Sequence, residues 1–303
     1  MLKIRLRSEV CMSKYIIVSD ATLDLSKEII EEYDIHVIPM ELQMGENSYA
    51  YHPDEKEITC KAFYERLRNG EEAKTSQINP VVFQEFVEPY LKEGYDILYI
   101  AFSSGLSGTY NTGRMVAQEL QEEYPECKIE CIDSLSASIG EGLTVLYAGK
   151  MRKEGASFEQ VTEWVRENCT KVCHWFTVDD LFHLKRGGRL NTVEAAVGTV
   201  LRVKPVLSIG KDGKLAVVSK VRGLRKGIDY IKERLVQDGI NTKEQTVIVG
   251  HADNLEAAET LKSMLMTEGL VKEALISNIG PVIGSHTGTG VIALVFFGEN
   301  YKF

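Results

Sequence analysis

Long apolar runs alternate with amphipathic segments through the first half of the chain. Residues 15–19 and 96–102 are almost uninterrupted apolar runs, the pattern of strands buried on both faces of a parallel sheet. Further strands are predicted at 36–43, where Pro39 favours a sheet edge or a bulge, and at 128–132. Helical periodicity predicts one helix that ends near residue 32, a second at 59–67 and a third that begins at residue 80 and is kinked or split by Pro89. A fourth helix ends before Pro125, and two more cover 136–154 and 158–172. This alternation predicts a Rossmann-like α/β domain with a parallel sheet.

The pattern changes near residue 172, where hairpins begin to mix with helices. The predicted elements are a strand at 174–178, a helix near 192–201, a hairpin of 205–209 and 215–219 turning at 210–213, helices at 224–236 and 255–266, and strands at 246–250, 273–279 and 291–297. Mixed hairpins and helices indicate an α+β domain. We therefore predict an N-terminal extension at 1–14, the α/β domain at 15–172 and the α+β domain at 173–303. Because no linker separates the two domains, they should pack closely and leave a cleft between them.

A loop rich in small hydroxyl residues, 103–110 (SSGLSGTY), follows the buried strand at 96–102 and opens a helix. Ligands bind at the carboxyl ends of strands in open α/β sheets. Free backbone N–H groups and the helix dipole favour an anion there, and the serine and threonine hydroxyls add donors. Asp20 and Thr22 should lie at the same sheet end. An ordinary strand-to-helix turn rich in Ser and Gly is the alternative.

Two other segments carry candidate ligand contacts. Thr75 and Ser76 precede a helix that Asn79 should cap, so their hydroxyls are either capping groups or ligand contacts, and the local pattern does not choose. The Gly-rich segment 280–290 is predicted to be a loop between strands. Its glycines allow a ligand to approach the backbone closely, and His286 is the side chain there that can become cationic near neutral pH. That setting favours a ligand contact over a purely structural histidine.

The composition indicates a soluble globular protein. The chain has 303 residues, 44% of them hydrophobic and 26% charged. No run approaches the roughly 20 apolar residues needed to cross a bilayer, and no signal peptide is evident. Met12 resembles a natural start, so we expect the preceding residues to be either an upstream extension or a disordered tail. The six cysteines show no metal-ligand or disulfide pattern, so we expect reduced thiols, no metal site and a cytoplasmic location.

Charge is distributed unevenly along the chain. The net charge of −9 argues against a general nucleic-acid binder. Residues 171–226, however, contain twelve Lys and Arg against four Asp and Glu. This basic segment indicates a face for an anionic partner, or else an unevenly charged solvated surface.

Several motifs, in this order and spacing, resemble the DegV family of fatty acid-binding proteins over residues 15–303. They are 18–22 (VSDAT), 74–77 (KTSQ), 103–110 (SSGLSGTY), 184–189 (LKRGGR), 204–205 (KP) and 280–288 (GPVIGSHTG). The resemblance implies a Rossmann-like α/β domain followed by an α+β domain, with a long-chain fatty acid such as palmitate between them. It implies that Thr75 and Ser107 hold the carboxylate and that His286 belongs to the same polar network. The supporting residues would be Ser76, Ser104, Gly108, Gly284 and Ser285.

The resemblance also implies a non-catalytic protein without a cofactor or metal. Some members of the family present the acyl carboxylate to a separate fatty acid kinase, which makes acyl-phosphate for phospholipid synthesis. Arg189 and Arg222 match the positions that would dock the kinase, and both lie in the basic segment. Transient membrane contact is the alternative use of that segment. Ala21 and Thr289 depart from the family's usual Ser and Pro, and neither is an implied carboxylate contact.

Physical considerations agree with a carrier. A buried carboxylate must receive hydrogen bonds, and two hydroxyls can provide them without a permanent salt bridge. The main alternative is a hydrolase with Ser107 as nucleophile, His286 as base and Asp133 as orienting acid. The segment 105–108 (GLSG) lacks one residue of the G-x-S-x-G nucleophile elbow, however. A nucleotide site is also weakly supported, because no G-x-x-x-x-G-K-[ST] or G-x-G-x-x-G fingerprint follows a strand.

Overall fold

A computed structural model describes residues 14–179, 181–190 and 203–299. The predicted extension before residue 14 and the predicted helix near 192–201 lie outside the described residues. The strands are β1 (Tyr15–Asp20), β2 (Ile35–Ile38), β3 (Met40–Met44), β4 (Asn47–Tyr51), β5 (Ala73–Thr75), β6 (Asp96–Ala101), β7 (Ile129–Asp133), β8 (Val172–Thr177), β9 (Val203–Ile209), β10 (Leu215–Arg222), β11 (Thr246–His251), β12 (Glu273–Asn278) and β13 (Ile292–Phe297). The α-helices are α1 (Lys27–Glu32), α2 (Cys60–Arg68), α3 (Pro80–Lys92), α4 (Thr109–Glu123), α5 (Ile139–Lys153), α6 (Phe158–Asn168), α7 (Phe182–Arg186), α8 (Leu224–Asp238), α9 (Leu255–Thr267) and α10 (Pro281–Thr287).

The first half of the chain forms a four-stranded sheet in the order β2-β1-β6-β7, and every pair in it is parallel. Strands β1 and β6 are central and fully buried, which explains their continuous apolar sequences. The predicted α/β fold with a parallel sheet is confirmed. The loops after β1, β6 and β7 therefore emerge at one edge of this sheet.

The second half forms a six-stranded mixed sheet in the order β10-β9-β8-β13-β11-β12. The predicted hairpin is present as the antiparallel pair of β9 and β10, and β11 pairs in parallel with β12. Helices α8 and α9 pack against this sheet, which confirms the predicted α+β organisation. The first strand of the sheet, β8, begins at Val172, the position of the predicted domain boundary.

Helix α5 lies between the two sheets, where it contacts β1 and β6 as well as β8, β11 and β13. Almost every residue from Ile139 to Gly149 is buried, as expected for a helix that is covered on all sides. Its glycines permit close packing: a Cβ added at Gly142 would lie 2.3 Å from the carbonyl oxygen of Leu23. This helix therefore joins the two halves of the molecule around one core.

A small antiparallel sheet, β4-β3-β5, was not predicted. The expected strand at 36–43 is divided at Pro39 into β2, at the edge of the parallel sheet, and β3, in the small sheet. Strand β5 has three residues and ends at Thr75, which pairs with Leu42. Thr75 is thus held by a strand, although the sequence suggested a loop.

Two other local predictions were wrong, and one was narrowed. Pro89 does not split α3, so a kink is the form of that prediction that remains; the Glu85 carbonyl that Pro89 leaves without an N–H partner is on an exposed residue, where water can satisfy it. Helix α6 ends at Asn168, followed by a 3₁₀ turn and β8, so it is shorter than predicted. The predicted loop around His286 is mainly helix α10, with Pro281 in its first turn. Within the described part of the chain, no helix is long and apolar enough to cross a membrane.

Candidate functional site

A cavity lies between the carboxyl edge of the parallel sheet and the six-stranded sheet. It encloses about 880 Å³ of space free of protein atoms, counted out to and including its mouth. Most of its walls are apolar. The apolar lining residues are Met40, Phe102, Leu106, Ala137, Ile139, Trp175, Phe176, Leu184, Ile209, Leu215, Ile279, Val282, Ile283, Val291, Ala293 and Val295. A lining of this kind suits a largely hydrophobic ligand.

Thr75 and His286 meet in the wall of this cavity. The Thr75 Oγ1 atom lies 2.8 Å from His286 Nε2. Strand β5 supplies the threonine and helix α10 supplies the histidine, and the two elements pack directly against each other. The structure thus brings together the two segments that the sequence assigned to one polar network, and their role in binding stays a prediction.

The protonation state of His286 follows from its surroundings. Burial and the nearby charges of Arg189 and Arg186 lower the pKa of His286 to about 4, so the ring is neutral at neutral pH. Its Nδ1 atom is buried and has no hydrogen-bond partner among the described residues. A buried N–H without a partner is costly, so the proton belongs on Nε2. His286 then donates to Thr75 Oγ1, and the Thr75 hydroxyl proton remains available to a ligand.

Ser107 lines the same cavity from the loop after β6. Its Oγ atom accepts a hydrogen bond from Thr109 N at 3.2 Å and lies 3.0 Å from Thr109 Oγ1. When Thr109 donates in that second contact, the Ser107 proton is free to be donated to a ligand. Thr109 Oγ1 also accepts from Ile78 N at 3.4 Å, so the segment that contains Thr75 is bonded to this loop.

The backbone N–H groups of the loop are less available than expected. Ser104 N donates to Asp133 Oδ1, Gly105 N to Ser103 Oγ, and both Leu106 N and Ser107 N to the carbonyl oxygen of Ser103. With Thr109 N also occupied, five of the N–H groups that the sequence suggested for an anion are satisfied within the protein. These five groups are not available to an anion, so the predicted role of backbone donors is confined to the rest of the loop and the first turn of α4, and side chains are the other candidate donors.

Arg189 also lies in the cavity wall, a position that the sequence did not indicate. Its Nε atom donates to the carbonyl oxygen of Leu106 at 3.1 Å, and Nη1 donates to that of Gly187 at 2.5 Å. Burial lowers the pKa of this guanidinium, yet no carboxylate of the described residues pairs with it. A positive charge without an acidic partner therefore lies beside Leu106 and His286. Gly187 permits this close packing, because a Cβ added there would lie 2.4 Å from His286 Nδ1.

The remaining predicted residues are more dispersed. Ser76 lines the cavity, whereas Ser104, Gly108, Gly284 and Ser285 are not among its lining residues. Gly108 and Gly284 are sites of close packing, because an added Cβ would lie 2.1 Å from Gln77 Oε1 and 2.6 Å from Tyr64 Oη, respectively. Arg222 is exposed at the end of β10, outside the cavity. The docking roles of Arg189 and Arg222 stay predictions.

The hydrolase constellation is not assembled in this arrangement. Asp133 Oδ1 accepts hydrogen bonds from the backbone N–H groups of Ser104 and Leu135. His286 is hydrogen-bonded to Thr75, and the Ser107 hydroxyl contacts Thr109. The nucleophile, the base and the orienting acid are thus each bonded to other groups. Within the described ranges, no group of three or more His, Cys, Asp and Glu residues could hold a metal ion.

The comparisons with known proteins agree over nearly the whole chain. A family model described as "Uncharacterised protein, DegV family" matches residues 14–299. A DegV domain-containing protein of Clostridium perfringens is 42% identical over 288 residues, which is 95% of this chain and 99% of that protein. A solved structure described as fatty acid binding of a DegV family protein from Thermus thermophilus has a TM-score of 0.82 at 29% identity, covering 94% of this chain and 100% of that one. A structure described as a fatty acid (stearic acid)-binding protein from Eubacterium ventriosum has a TM-score of 0.81 at 27% identity, covering 94% of this chain and 98% of that one. The chain therefore belongs to the DegV family.

Proposed function

We propose that this chain is a non-catalytic carrier that binds a long-chain fatty acid in the cavity between its two sheets. The observation that carries the proposal is a small polar cluster in a mostly apolar cavity: the hydroxyls of Thr75 and Ser107, the imidazole of His286 and the guanidinium of Arg189. Similar proteins from Thermus thermophilus and Eubacterium ventriosum are described as binding fatty acid and stearic acid, which supports the same ligand class here.

The carboxylate would be held by the polar cluster. The Thr75 and Ser107 hydroxyls each have a proton to donate, because His286 donates to Thr75 and Thr109 can donate to Ser107. Hydrogen bonds to an ionised acceptor are the strong ones, and Arg189 adds a compensating positive charge. A fatty acid carboxylate is ionised at neutral pH, so this cluster offsets the desolvation that a buried anion would otherwise suffer.

The tail would be held by the apolar walls. Burial contributes about 0.8 kcal/mol per CH₂, so a long alkyl chain supplies most of the free energy of binding. The head-group contacts then fix the orientation of the ligand. Two hydroxyls and one partly engaged guanidinium hold the anion less permanently than a buried salt bridge, which suits a protein that must release its cargo.

Native mass spectrometry of the purified protein tests this proposal. We expect a bound long-chain fatty acid on the wild-type protein and a large loss of it in Thr75→Ala/Ser107→Ala, because both hydroxyl donors are removed. The matched control is Ser263→Ala/Thr267→Ala, which removes the same two groups from exposed positions of α9. A wild-type protein free of lipid, or a site variant that retains as much lipid as the control, would reject the carrier function.

We further propose that the carrier presents its ligand to a separate fatty acid kinase. Arg222 tests this docking role without disturbing the cavity, since it is exposed and lies outside the lining. We expect Arg222→Ala to retain its lipid but to lose acyl-phosphate formation with the kinase. Arg189→Ala should lower both, because that side chain is part of the cavity wall. Loss of lipid from Arg222→Ala to the same extent as loss of kinase coupling would contradict the docking assignment.

A further inference from the structure

Asp24 is a buried acid at the seam between the two halves of the molecule. It lies in the loop after β1, is 4% exposed and has a φ of +48°, a left-handed conformation that is uncommon for residues other than glycine. Backbone strain of this kind persists where surrounding contacts impose it. Neither the sequence motifs nor the carboxylate site accounts for this residue.

The Asp24 carboxylate joins two elements that line the cavity. Its Oδ1 atom accepts a hydrogen bond from Gly280 N at 2.9 Å, directly before helix α10. Its Oδ2 atom accepts from Ser138 Oγ at 2.5 Å, directly before helix α5. Ser138 is itself at a φ of +55° and lines the cavity. One side chain thus holds the start of the helix that carries His286 and the start of the helix between the sheets.

Other contacts keep this junction tight. The carbonyl oxygen of Asp24 accepts a hydrogen bond from Ser277 Oγ at 2.5 Å, at the end of β12. A Cβ added at Gly280 would lie 2.7 Å from Asp24 Oδ1 and 2.8 Å from Tyr51 Oη, so glycine is needed for this approach. Tyr64 Oη donates to the carbonyl oxygen of Ile279 at 2.7 Å and supports the same turn.

The surroundings of Asp24 leave its charge poorly compensated. Burial raises the pKa of Asp24 to about 7, and ionisation of the nearby Asp20 would raise it further. The other titratable groups that interact with it are the Glu141 carboxyl, the Tyr51 and Tyr64 hydroxyls and the Cys60 thiol, none of which is a cation. Asp24 also lines a second, polar cavity, which gives it a route for proton exchange. The charged residues that share this cavity are Lys27, which pairs with Glu31, and the acids Glu28, Asp54 and Glu55.

We propose that Asp24 is a positioning residue for the fatty acid cavity: it holds the first turns of α10 and α5 in place, and its ionisation opposes the binding of an anionic ligand. This inference rests on the proposed function, since it concerns the same cavity. The ionised form accepts from both Gly280 and Ser138. The neutral form still accepts from Gly280 while donating to Ser138, so geometry is kept and only the charge changes.

Two substitutions separate geometry from charge. Both Gly and Asn adopt a positive φ readily, so neither substitution strains the backbone at this position. Asp24→Gly removes both side-chain contacts. Asp24→Asn keeps them, because the amide can accept from Gly280 while donating to Ser138. Asp34 is the matched control, because it is an exposed aspartate with a φ of +49° that pairs with Arg152, away from the cavity. Asp34→Gly and Asp34→Asn make the same chemical changes there.

The measurement is the dissociation constant of laurate, a short fatty acid that is ionised throughout, by titration calorimetry from pH 6.0 to 8.5 on delipidated protein. We expect Asp24→Gly to bind about tenfold or more weakly at pH 6.0, because buried donors lose their acceptor. Asp24→Asn should bind like the wild type at pH 6.0. As pH rises through about 7, affinity should fall severalfold in the wild type and stay constant in Asp24→Asn.

Each contrary result is decisive. The positioning role would be overturned if Asp24→Gly bound laurate with wild-type affinity, or if Asp24→Asn bound it as weakly as Asp24→Gly. The charge effect would be overturned if the affinities of the wild type and Asp24→Asn changed with pH in parallel. If the wild type binds no fatty acid at any pH, the proposed function fails instead. Hydrogen exchange of the peptide 277–287 then still tests the positioning role: Asp24→Gly should exchange faster than wild type and Asp34→Gly should not, and equal rates would reject it.

Discussion

Thr22 lies between two buried acids in the floor of the cavity. Its Oγ1 atom is 2.5 Å from Asp20 Oδ1 and 2.7 Å from Glu141 Oε2, but one hydroxyl carries a single proton. Ser19 Oγ likewise lies 2.9 Å from the carbonyl oxygen of Ile100, which can only accept, and 2.8 Å from Glu141 Oε1. The two hydroxyls have only two protons for these four contacts. All four can be hydrogen bonds only when the Asp20 and Glu141 carboxyls are protonated and donate the other two. Burial raises the pKa of Glu141 well above its ordinary value, in agreement with a neutral acid.

Glu141→Gln should therefore be tolerated, because the amide can donate and accept as the neutral acid does. The folded protein keeps the Glu141 proton above pH 4.5, where the unfolded chain releases it, so this group stabilises least at high pH. We expect the melting temperature of Glu141→Gln relative to wild type to increase from pH 5 to pH 8. Glu141→Ala should instead be roughly 2–4 kcal/mol less stable than Glu141→Gln in the free energy of unfolding at each pH, since neither variant titrates at this position. Parallel pH profiles of wild type and Glu141→Gln would show that Glu141 ionises equally in both states.

For single residues, the sequence predicted which side chains belong to the site better than it predicted which groups they contact. Thr75, Ser107 and His286 line one cavity, as the motifs suggested. The place of Arg189 in the wall was not predicted, because 184–189 is far from the other motifs in sequence and nothing local shows which way a guanidinium points. Asp24 was read only as part of a loop, since its role depends on Gly280, more than 250 residues later.

The main elements were predictable because their patterns are strong. Central strands with continuous apolar runs and helices with capping residues were found near their observed bounds, as for α3, which Asn79 caps by accepting from Val82 N. Short elements were not. Strand β5 has only three residues, β4 has a mostly exposed face, and the glycines of α10 suggested a loop. In these segments tertiary packing overrides local preference.

The turn between β9 and β10 packs against the loop that carries Ser107. Ser103 Oγ donates to the carbonyl oxygen of Gly213 at 2.8 Å. A Cβ added at Gly105 would lie 2.5 Å from the carbonyl oxygen of Asp212 and 2.8 Å from the carbonyl carbon of Gly213. Both are backbone atoms, so the hairpin itself would have to move. Loop and hairpin are therefore one interdomain contact beside the proposed head-group site.

Gly105→Ala should displace this contact. We expect a loss of about 1–3 kcal/mol in the free energy of unfolding, the usual cost of overpacking, together with a lower content of bound fatty acid. Urea unfolding and native mass spectrometry measure the two effects. Ser104→Ala is the control, because it changes the neighbouring residue without adding an atom near the hairpin. Stability and lipid content equal to those of Ser104→Ala would show that loop and hairpin are not coupled.

At the scale of the molecule, the cavity exists because two sheets face each other across α5. Its lining comes from strands of the six-stranded sheet and of the small sheet, from α10 and from the loops that follow β1, β6 and β7 of the parallel sheet. The motifs and their order indicate the family and the polar end of the site, because those residues recur at recognisable spacing. The apolar walls could not be predicted in the same way, since an alanine or valine that lines a cavity has the same sequence pattern as one that fills a core.

Ala293 tests whether those walls hold an alkyl tail. It lies in β13 opposite Phe176, is 7% exposed and lines the cavity. Ala293→Phe should fill space that a tail would occupy, and excluding about four CH₂ groups costs roughly 3 kcal/mol of binding free energy. The fatty acids extracted from the purified variant should therefore be shorter than those from the wild type, as measured by mass spectrometry, while Ala50→Phe on the exposed strand β4 should leave the chain lengths unchanged. An unchanged distribution in folded Ala293→Phe would mean that the tail runs elsewhere, whereas a shift to shorter chains would place it between the sheets, where the head-group hydroxyls and the apolar walls form one continuous site.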